Sequence, residues 1–204
     1  MTSAASLLIS ALVPAAGLST RMGGPLPKPL LPWGSTTMIE TIVATLVRAN
    51  VNEIIVVTGH RQELLAAALA ETPARCVFNP AYANGEMLAS IQTGLAATNS
   101  AAAGVLLALA DQPQMELATV QRVLTAFAAS AGDALVIPSY ALRRGHPILL
   151  PRRLWPAVLA LPAGDALRTV IQRHAHEIVY VTVDTPTVLA DLDTPEQYHA
   201  NRQE

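Results

Sequence analysis

The chain has 204 residues with a formal net charge of −2 and a single cysteine, Cys76. This length fits one domain over residues 1–204, and one cysteine excludes an intrachain disulfide and a cysteine-based zinc cluster and is typical of a cytoplasmic protein. Its thirteen Lys and Arg do not favour a nucleic-acid-binding surface, and its apolar runs are shorter than the about 20 residues that cross a bilayer, so neither partner is expected.

Short apolar runs alternate along the chain with longer segments whose apolar residues recur at spacings of three and four. The runs are predicted strands, at residues 7–13, 53–58, 75–78, 105–110, 134–138 and 178–183. The longer segments are predicted helices, at residues 38–49, 62–71, 87–98, 117–131 and 166–174. This order predicts a three-layer α/β/α fold with a mostly parallel, Rossmann-like sheet, in which ligands bind beyond the carboxyl ends of the strands.

The first predicted strand leads into a loop, within residues 12–34, that combines small residues with two cations. Its small residues are Ala15, Ala16, Gly17 and Ser19. Small side chains let backbone N–H groups approach an anion, and Arg21 and Lys28 would add positive charge. The loop therefore predicts a triphosphate site, although a solvated glycine- and proline-rich connection is the alternative. It matches neither the P-loop pattern nor G-x-G-x-x-G.

The strings AAGLSTRMGG and KPLLPWG in this loop resemble the signature loop of nucleotidyltransferases, a glycosyltransferase-A-like superfamily. Within it, the loop is most similar to that of molybdenum cofactor cytidylyltransferases. The resemblance implies a nucleotide-diphospho-sugar transferase fold, phosphate contacts from Arg21 and Lys28, and base contacts from residues 15–17. It also implies CTP as the nucleotide, molybdopterin as the phosphorylated acceptor, and a molybdoenzyme or its chaperone as a protein partner. Pro14 and the long interval between Arg21 and Lys28 resemble instead the sugar-phosphate and methylerythritol-phosphate branches.

A polar loop follows the predicted strand at residues 75–78 and leads into a predicted helix. In the resembled family this region lines the base and ribose pocket, which implies nucleotide contacts from Asn79, Gly85 and Ser90. From the residues alone, Asn79 would only start a turn and Ser90 would face solvent.

Asp111 directly follows the wholly apolar predicted strand at residues 105–110. A carboxylate at that position is costly unless it meets a cation, and its hard oxygens suit the Mg²⁺ that phosphoryl transfer uses. The string LADQP also resembles the metal-binding segment of the family. The alternative is that Asp111 caps the helix that begins near Met115 or Leu117.

Residues 138–150 are predicted to form a hairpin around Arg143, Arg144 and Gly145. The segment resembles a glycine, histidine, proline stretch that faces the acceptor, which implies a contact from His146. The sequence leaves open whether His146 is a general base, a phosphate contact or a structural hydrogen-bonding group. Arg143 and Arg144 would reach a second anionic group on the acceptor, or lie in solvent at the hairpin tip.

Asp165 precedes the predicted helix at residues 166–174 and is placed to be its N-cap. The resemblance implies that this glycine, aspartate stretch lies near the pterin part of the acceptor. His174 and His176 lack further ligands in the sequence pattern and are interpreted as helix-terminal cations.

Asp191 and Asp193 flank Leu192 near the C-terminus. In an extended segment this alternation would place both carboxylates on one side and Leu192 in the core. The two carboxylates would complete a Mg²⁺ site with Asp111, and the resemblance implies that an acidic or amide residue of this segment binds the metal. Asp191 is the preferred ligand and Asp193 the close second. Thr194 and Pro195 also form a helix start, so Asp193 or Thr194 is alternatively a cap.

These features predict a Mg²⁺-dependent nucleotidyltransferase in which Arg21, Lys28 and Asp111 carry catalysis. An acceptor phosphate, already anionic, would attack the nucleotide and pyrophosphate would leave, so alignment and charge neutralisation matter more than a strong base. A regulatory module that binds a nucleotide without chemistry is the alternative in another class. A dinucleotide-dependent oxidoreductase is a third, disfavoured because G-x-G-x-x-G is absent.

Overall fold

The computed structural model describes residues 7–18, 26–84 and 87–202. Three of the predicted nucleotide contacts, Ser19, Arg21 and Gly85, lie outside these residues. The strands are β1 (Ile9–Pro14), β2 (Pro32–Trp33), β3 (Thr36–Thr37), β4 (Glu53–Thr58), β5 (Arg75–Phe78), β6 (Gly104–Leu107), β7 (Leu135–Tyr140), β8 (Arg143–Arg144), β9 (Ile148–Pro151) and β10 (Ile178–Thr182). The helices are α1 (Met38–Arg48), α2 (Gln62–Ala68), α3 (Met87–Ala97), α4 (Leu117–Ala129), α5 (Trp155–Leu159), α6 (Leu167–Arg173) and α7 (Pro195–Asn201).

The main sheet is mostly parallel, as the sequence predicts. Its order is β10-β7-β9-β6-β1-β4-β5, with β8 paired to β7. β1 pairs in parallel with β4 and β6, β4 with β5, and β7 with β10. β9 runs antiparallel between β6 and β7. All six predicted strands and all five predicted helices are present, with ends shifted by a few residues.

The predicted hairpin after β7 is present, but its tip was placed wrongly. The turn lies at Ala141 and Leu142, whose φ angles of 47° and 63° are left-handed. Arg143 and Arg144 already belong to β8, which returns along β7. The chain then continues into β9, so the second apolar run of the hairpin becomes a central strand of the sheet.

Helices cover both faces of the sheet, which confirms the three-layer arrangement. α1, α2 and α4 pack on one face through side chains such as Ile42, Leu65 and Phe127. α3, α5 and α6 pack on the other face through side chains such as Ile91 and Trp155. The alternation of β1 and β4 between the two apolar clusters explains this, because successive side chains of a strand point to opposite faces. No helix in the described ranges has the length and apolar character of a membrane span.

A third, smaller cluster fastens the C-terminal segment to the part of the chain that follows Lys28. It consists of Trp33, Met38, Leu192 and Tyr198, all buried. The hydroxyl of Tyr198 donates a 2.6 Å hydrogen bond to the carbonyl oxygen of Pro32. These contacts fix the position of the acidic residues around Leu192 relative to the edge of the sheet.

Candidate active site

The first residue of the loop after β1 still hydrogen-bonds to the sheet, whereas residues 17 and 18 are exposed to solvent. The Ala15 N–H donates a 2.8 Å bond to the Val57 carbonyl oxygen, and the side chains of Ala15 and Ala16 are buried. A Cβ added at Gly59 would lie 2.6 Å from the Ala16 carbonyl oxygen, whereas one added at Gly17 would meet no atom of the described residues within 4 Å. Residues 15 and 16 are therefore tightly held, and Gly17 is not crowded by the described part of the chain.

Lys28 reaches two carboxylates that come from distant parts of the chain. Its Nζ lies 2.8 Å from Oδ2 of Asp111 and 3.0 Å from Oδ1 of Asp193, and its side chain is only 13% exposed. Lys28 begins the short 3-10 helix Lys28–Leu30, whose next two residues, Pro29 and Leu30, are buried. The backbone at Lys28 is thus anchored while its long side chain extends into the site.

Asp111 lies beyond β6 at the ligand edge of the sheet, as predicted. The alternative capping role is wrong, because the N-cap of α4 is Glu116, which makes no side-chain cap bond. The Asp111 carbonyl oxygen instead accepts a 3.1 Å bond from the Leu192 N–H. This bond joins the segment after β6 directly to the C-terminal acidic segment.

The predicted alternation around Leu192 is confirmed. Leu192 is 1% exposed, while Asp193 pairs with Lys28 and Asp191 accepts a 2.8 Å hydrogen bond from Gln112 Nε2. Burial and the negative charge of Asp111 raise the pKa of Asp191 above its ordinary value, and the charge of Asp193 raises it further. The hydrogen bond from Gln112 and the positive charge of Lys28 lower this pKa by less. Burial is thus the main cause of this raised pKa, and the neighbouring carboxylates add to it. Thr194 caps α7 through a capping box with Gln197, which confirms the predicted alternative that Thr194 is a helix cap.

These residues fit a divalent cation by chemical type. Three aspartates, whose hard carboxylate oxygens suit such an ion, lie at one edge of the sheet, and Asp111 and Asp193 are close enough to Asp191 to raise its pKa in addition to the effect of burial. Among residues 7–18, 26–84 and 87–202, however, no His, Cys, Asp and Glu side chains form a group of three or more arranged as a metal site. Lys28 instead bridges two of the carboxylates.

Gln112 was missed as a site residue by the sequence analysis. It is 2% exposed, and its amide nitrogen donates to the Val188 carbonyl oxygen as well as to Asp191. A buried amide that holds a carboxylate in place is typical of residues that surround a metal ligand. The available signal was its position directly after Asp111.

Asn79 and Ser90 brace the loop between β5 and α3. They are 1% and 4% exposed, and the Asn79 Nδ2 donates a 3.1 Å bond to the Ser90 Oγ. The interpretation of Ser90 as solvent-facing is therefore wrong. Asn79 also starts a turn, because its Oδ1 accepts a 2.9 Å bond from the Ala81 N–H. A nucleotide contact from either residue stays a prediction.

A cavity of about 490 Å³ opens between α3, α6 and the strands β7 and β9. Its apolar lining residues include Leu88, Ile91, Ile137, Ile148, Leu167 and Ile171. Its polar side chains are those of Arg144, His146, Asp165, Arg168 and Gln172. Arg143, which alternates with Arg144 along β8, is not among the described lining residues, since neighbouring strand residues point to opposite faces.

Asp165 lines this cavity but does not cap α6, so the predicted cap is wrong. The N-cap residue is Ala166, which makes no side-chain cap bond. The Asp165 carboxylate accepts hydrogen bonds from the Ala166 N–H and from the Thr169 hydroxyl. These bonds, with the hydrogen bond from Thr169 first, lower the pKa of Asp165, so it is an anion at neutral pH.

His146 connects the cavity to the acidic cluster. Its backbone N–H donates a 3.0 Å hydrogen bond to the Val188 carbonyl oxygen. The neighbouring Gly145 lies close to the same oxygen, since a Cβ added at Gly145 would be 2.3 Å from it. Burial lowers the pKa of His146 from 6.5 to about 4, against the opposing influence of the Asp111 carboxylate. The imidazole is therefore neutral at neutral pH and acts as a hydrogen-bonding group or base, not as a cation.

Known proteins resemble this chain over nearly its whole length. A family profile described as MobA-like NTP transferase domain matches residues 11–188. The chain is 31% identical over 197 residues to nicotine blue oxidoreductase of Paenarthrobacter nicotinovorans, which covers 94% of this chain and 95% of that protein. It is 26% identical over 191 residues to molybdenum cofactor cytidylyltransferase of Escherichia coli strain K12, which covers 93% of each.

Solved structures resemble the whole fold. The crystal structure of Rv0371c from Mycobacterium tuberculosis matches with a TM-score of 0.81 and 26% identity, over 96% of this chain and 97% of that one. The same mycobacterial protein in complex with manganese matches with a TM-score of 0.74 and 26% identity, over 95% of this chain and 97% of that one.

Proposed function

Because the chain belongs to the family of MobA-like NTP transferase domains and has the nucleotide-diphospho-sugar transferase fold, we propose that it transfers a nucleoside monophosphate from a nucleoside triphosphate to a phosphorylated small molecule, releasing pyrophosphate. One observation carries the proposal. Lys28 and three aspartates meet at the carboxyl edge of the sheet, beside a cavity large enough for an acceptor. CTP and molybdopterin are the favoured pair, which the similarity to a molybdenum cofactor cytidylyltransferase supports.

In this proposal Lys28, together with Arg21, binds the triphosphate, and residues 15–17 contact the base. Asp111 with Asp191 or Asp193 would hold Mg²⁺, and the manganese complex of the similar mycobacterial protein supports a divalent cation. The bound cation would supply neutralisation of charge on the phosphate oxygens. Gln112 keeps Asp191 oriented, and the neutral His146 offers a hydrogen bond to the acceptor at the boundary of the cavity.

The lining of the cavity favours an acceptor with a flat ring, whose faces pack against apolar side chains, over a sugar or polyol. Leu88, Ile91 and Ile171 form apolar walls, against which the hydroxyl groups of a polyol would lose water without gaining hydrogen bonds. Arg144 and Arg168 lie at the same cavity and would bind an anionic group of the acceptor. A sugar or polyol phosphate is the second acceptor class, which Pro14 and the long interval before Lys28 support. We place the reaction in the cytoplasm, with a molybdoenzyme or its chaperone as the recipient of the product.

A second candidate function is reduction of a heteroaromatic compound. The relative that is 31% identical over 94% of this chain is named an oxidoreductase, and the apolar cavity suits an aromatic substrate as well as a pterin. In that case the loop after β1 would bind the pyrophosphate of a reduced nicotinamide dinucleotide. A hydride would pass to the heteroaromatic ring, which would take up a proton from solvent.

One set of assays separates these functions. The purified protein is incubated with Mg²⁺ and each of the four common nucleoside triphosphates, together with molybdopterin or a polyol phosphate, and pyrophosphate release is measured. Parallel samples with NADH and nicotine blue are followed by the loss of NADH absorbance. Pyrophosphate release that requires both substrates supports nucleotidyl transfer, and NADH oxidation alone supports the reductase. Nucleotide binding in a thermal-shift assay without either reaction would support a regulatory module.

A further inference from the structure

Lys28 is the only lysine in the 204-residue chain, and it lies among the carboxylates assigned to the metal. Its Nζ is within 3.0 Å of both Asp111 and Asp193. One ammonium group thus contacts two of the three carboxylates that would ligate a divalent cation. The group assigned to the phosphates therefore contacts the side chains assigned to the metal.

We propose that Lys28 acts as a placeholder for the divalent cation and thereby couples metal binding to nucleotide binding. In the nucleotide-free protein, a metal ion must displace the ammonium from Asp111 and Asp193. A triphosphate removes this cost, because its oxygens give Lys28 a new anionic partner while the metal takes the carboxylates. This inference rests on the proposed function, since it assigns a further role to a residue of the same site.

The local structure permits this exchange of partners. The backbone of Lys28 is anchored by the buried Pro29 and Leu30, so movement is confined to the four-carbon side chain. An ammonium has three donors on a flexible stem and adapts to different acceptors, unlike the rigid guanidinium of arginine. The backbone that carries the carboxylates has anchors other than Lys28. Leu192 is buried, and its backbone N–H donates a hydrogen bond to the Asp111 carbonyl oxygen.

Charge balance gives the direction of the effect. The Lys28 ammonium contacts Asp111 and Asp193, while Asp191 accepts its hydrogen bond from the uncharged amide of Gln112. Removing the ammonium takes one positive charge away from these carboxylates and leaves two of them without this bridging contact. The carboxylates should then attract a divalent cation more strongly in the absence of nucleotide, whereas triphosphate binding should weaken.

The first experiment measures Mn²⁺ binding without nucleotide, from the electron paramagnetic resonance signal of unbound Mn²⁺. Wild type is compared with Lys28→Met and with Arg48→Met, which removes one exposed cation at the end of α1 and so changes the net charge equally. We expect Lys28→Met to bind Mn²⁺ about tenfold more tightly, in the usual range of coupling between sites, and Arg48→Met to match wild type. Added CTP should tighten Mn²⁺ binding to wild type more than to Lys28→Met.

The second experiment uses the wild-type protein and so does not depend on the folding of a variant. Labelling with [¹³Cε]lysine gives one lysine signal, from Lys28. We expect that Mg²⁺ at a concentration well below saturation of the nucleotide-free protein leaves this signal in place, and that the same Mg²⁺ with CTP shifts it. A signal that shifts fully with low Mg²⁺ alone would overturn the proposal.

Failure of this inference is distinguishable from failure of the proposed function. Pyrophosphate release by wild type, with equal or weaker Mn²⁺ binding by Lys28→Met, would overturn the placeholder role alone. Tighter Mn²⁺ binding by Lys28→Met, with no transfer for any substrate pair, would overturn the transferase assignment alone.

Discussion

The Nζ atom of Lys28 lies 2.8 Å from Oδ2 of Asp111, although 83 positions separate the two residues in the chain. Lys28 comes from the loop after β1 and Asp111 from the exit of β6, which are adjacent strands of the sheet. Neighbouring parallel strands end at the same edge, so their exit loops meet there. This ion pair joins the loop after β1 to the acidic cluster.

Asp111 should be essential for turnover and not for folding. We expect Asp111→Asn, which keeps the shape of the side chain, to lower kcat by about 100-fold or more, because a charge that stabilises the transition state is lost. The assay is pyrophosphate release, with urea denaturation as the check on folding. Asp133→Asn, at an exposed carboxylate paired with Arg153, is the control. Near-normal turnover of Asp111→Asn would remove Asp111 from the catalytic site.

Gly17 should matter for the nucleotide and not for stability. An added Cβ there meets no atom of residues 7–18, 26–84 and 87–202 within 4 Å, so Gly17→Ala should leave the free energy of unfolding unchanged or raise it by up to about 1 kcal/mol. The same methyl group would enter the space assigned to the base, so nucleotide affinity should fall. Isothermal titration with CTP and Mg²⁺ measures the affinity, and unchanged binding would contradict the base contact at residues 15–17.

Gly59 provides the opposite case on the neighbouring turn. Its added Cβ would lie 2.5 Å from the Tyr82 Cβ and 2.6 Å from the Ala16 carbonyl oxygen. Both obstacles are held in place, so we expect Gly59→Ala to lower the free energy of unfolding by about 1–3 kcal/mol. Chemical denaturation measures this loss. A variant as stable as wild type would show that the loop after β1 is less tightly packed than its contacts indicate.

The cavity should bind the acceptor and not the nucleotide. Ala166 lines the cavity and has an extended backbone with φ of −138°, which accommodates a larger side chain. Ala166→Phe should therefore raise KM for the acceptor and leave KM for the nucleoside triphosphate unchanged. Ala163→Phe, at an exposed residue outside the described lining, is the matched control. An equal effect on both substrates would contradict a separate acceptor cavity.

His146 should make stability depend on pH. Its pKa falls from 6.5 to about 4 on folding, so between these values the unfolded chain binds a proton that the folded protein does not. The stabilising contribution of the neutral imidazole is complete above pH 6.5 and is lost as the pH falls toward 4, by about 2–3 kcal/mol. Urea denaturation of wild type and His146→Asn at pH 7.5, 6 and 5 tests this. The stability difference between them should shift in favour of the variant as the pH falls.

Local patterns were sufficient to predict the strands, the helices and the alternation around Leu192. Each depends on the side-chain period of one element, which the sequence shows directly. The apolar run at β9 does not show which strands it pairs with, because four apolar residues fit the second strand of a hairpin and a central strand of a sheet equally well. Its place between β6 and β7 follows from the packing of the whole sheet.

The residue types at the exits of the strands can be read directly from the order of the amino acids: a small-residue loop, Lys28, Asp111 and the pair around Leu192. How these residues meet depends on the packing of the whole fold. The packing of Leu192 and Tyr198 against Trp33 and Met38 sets the position of Asp193 relative to Lys28. Along β8, Arg144 lines the cavity and Arg143 points to the opposite face of the strand. Such contacts join residues far apart in the chain, and their geometry depends on how the elements pack rather than on any local pattern.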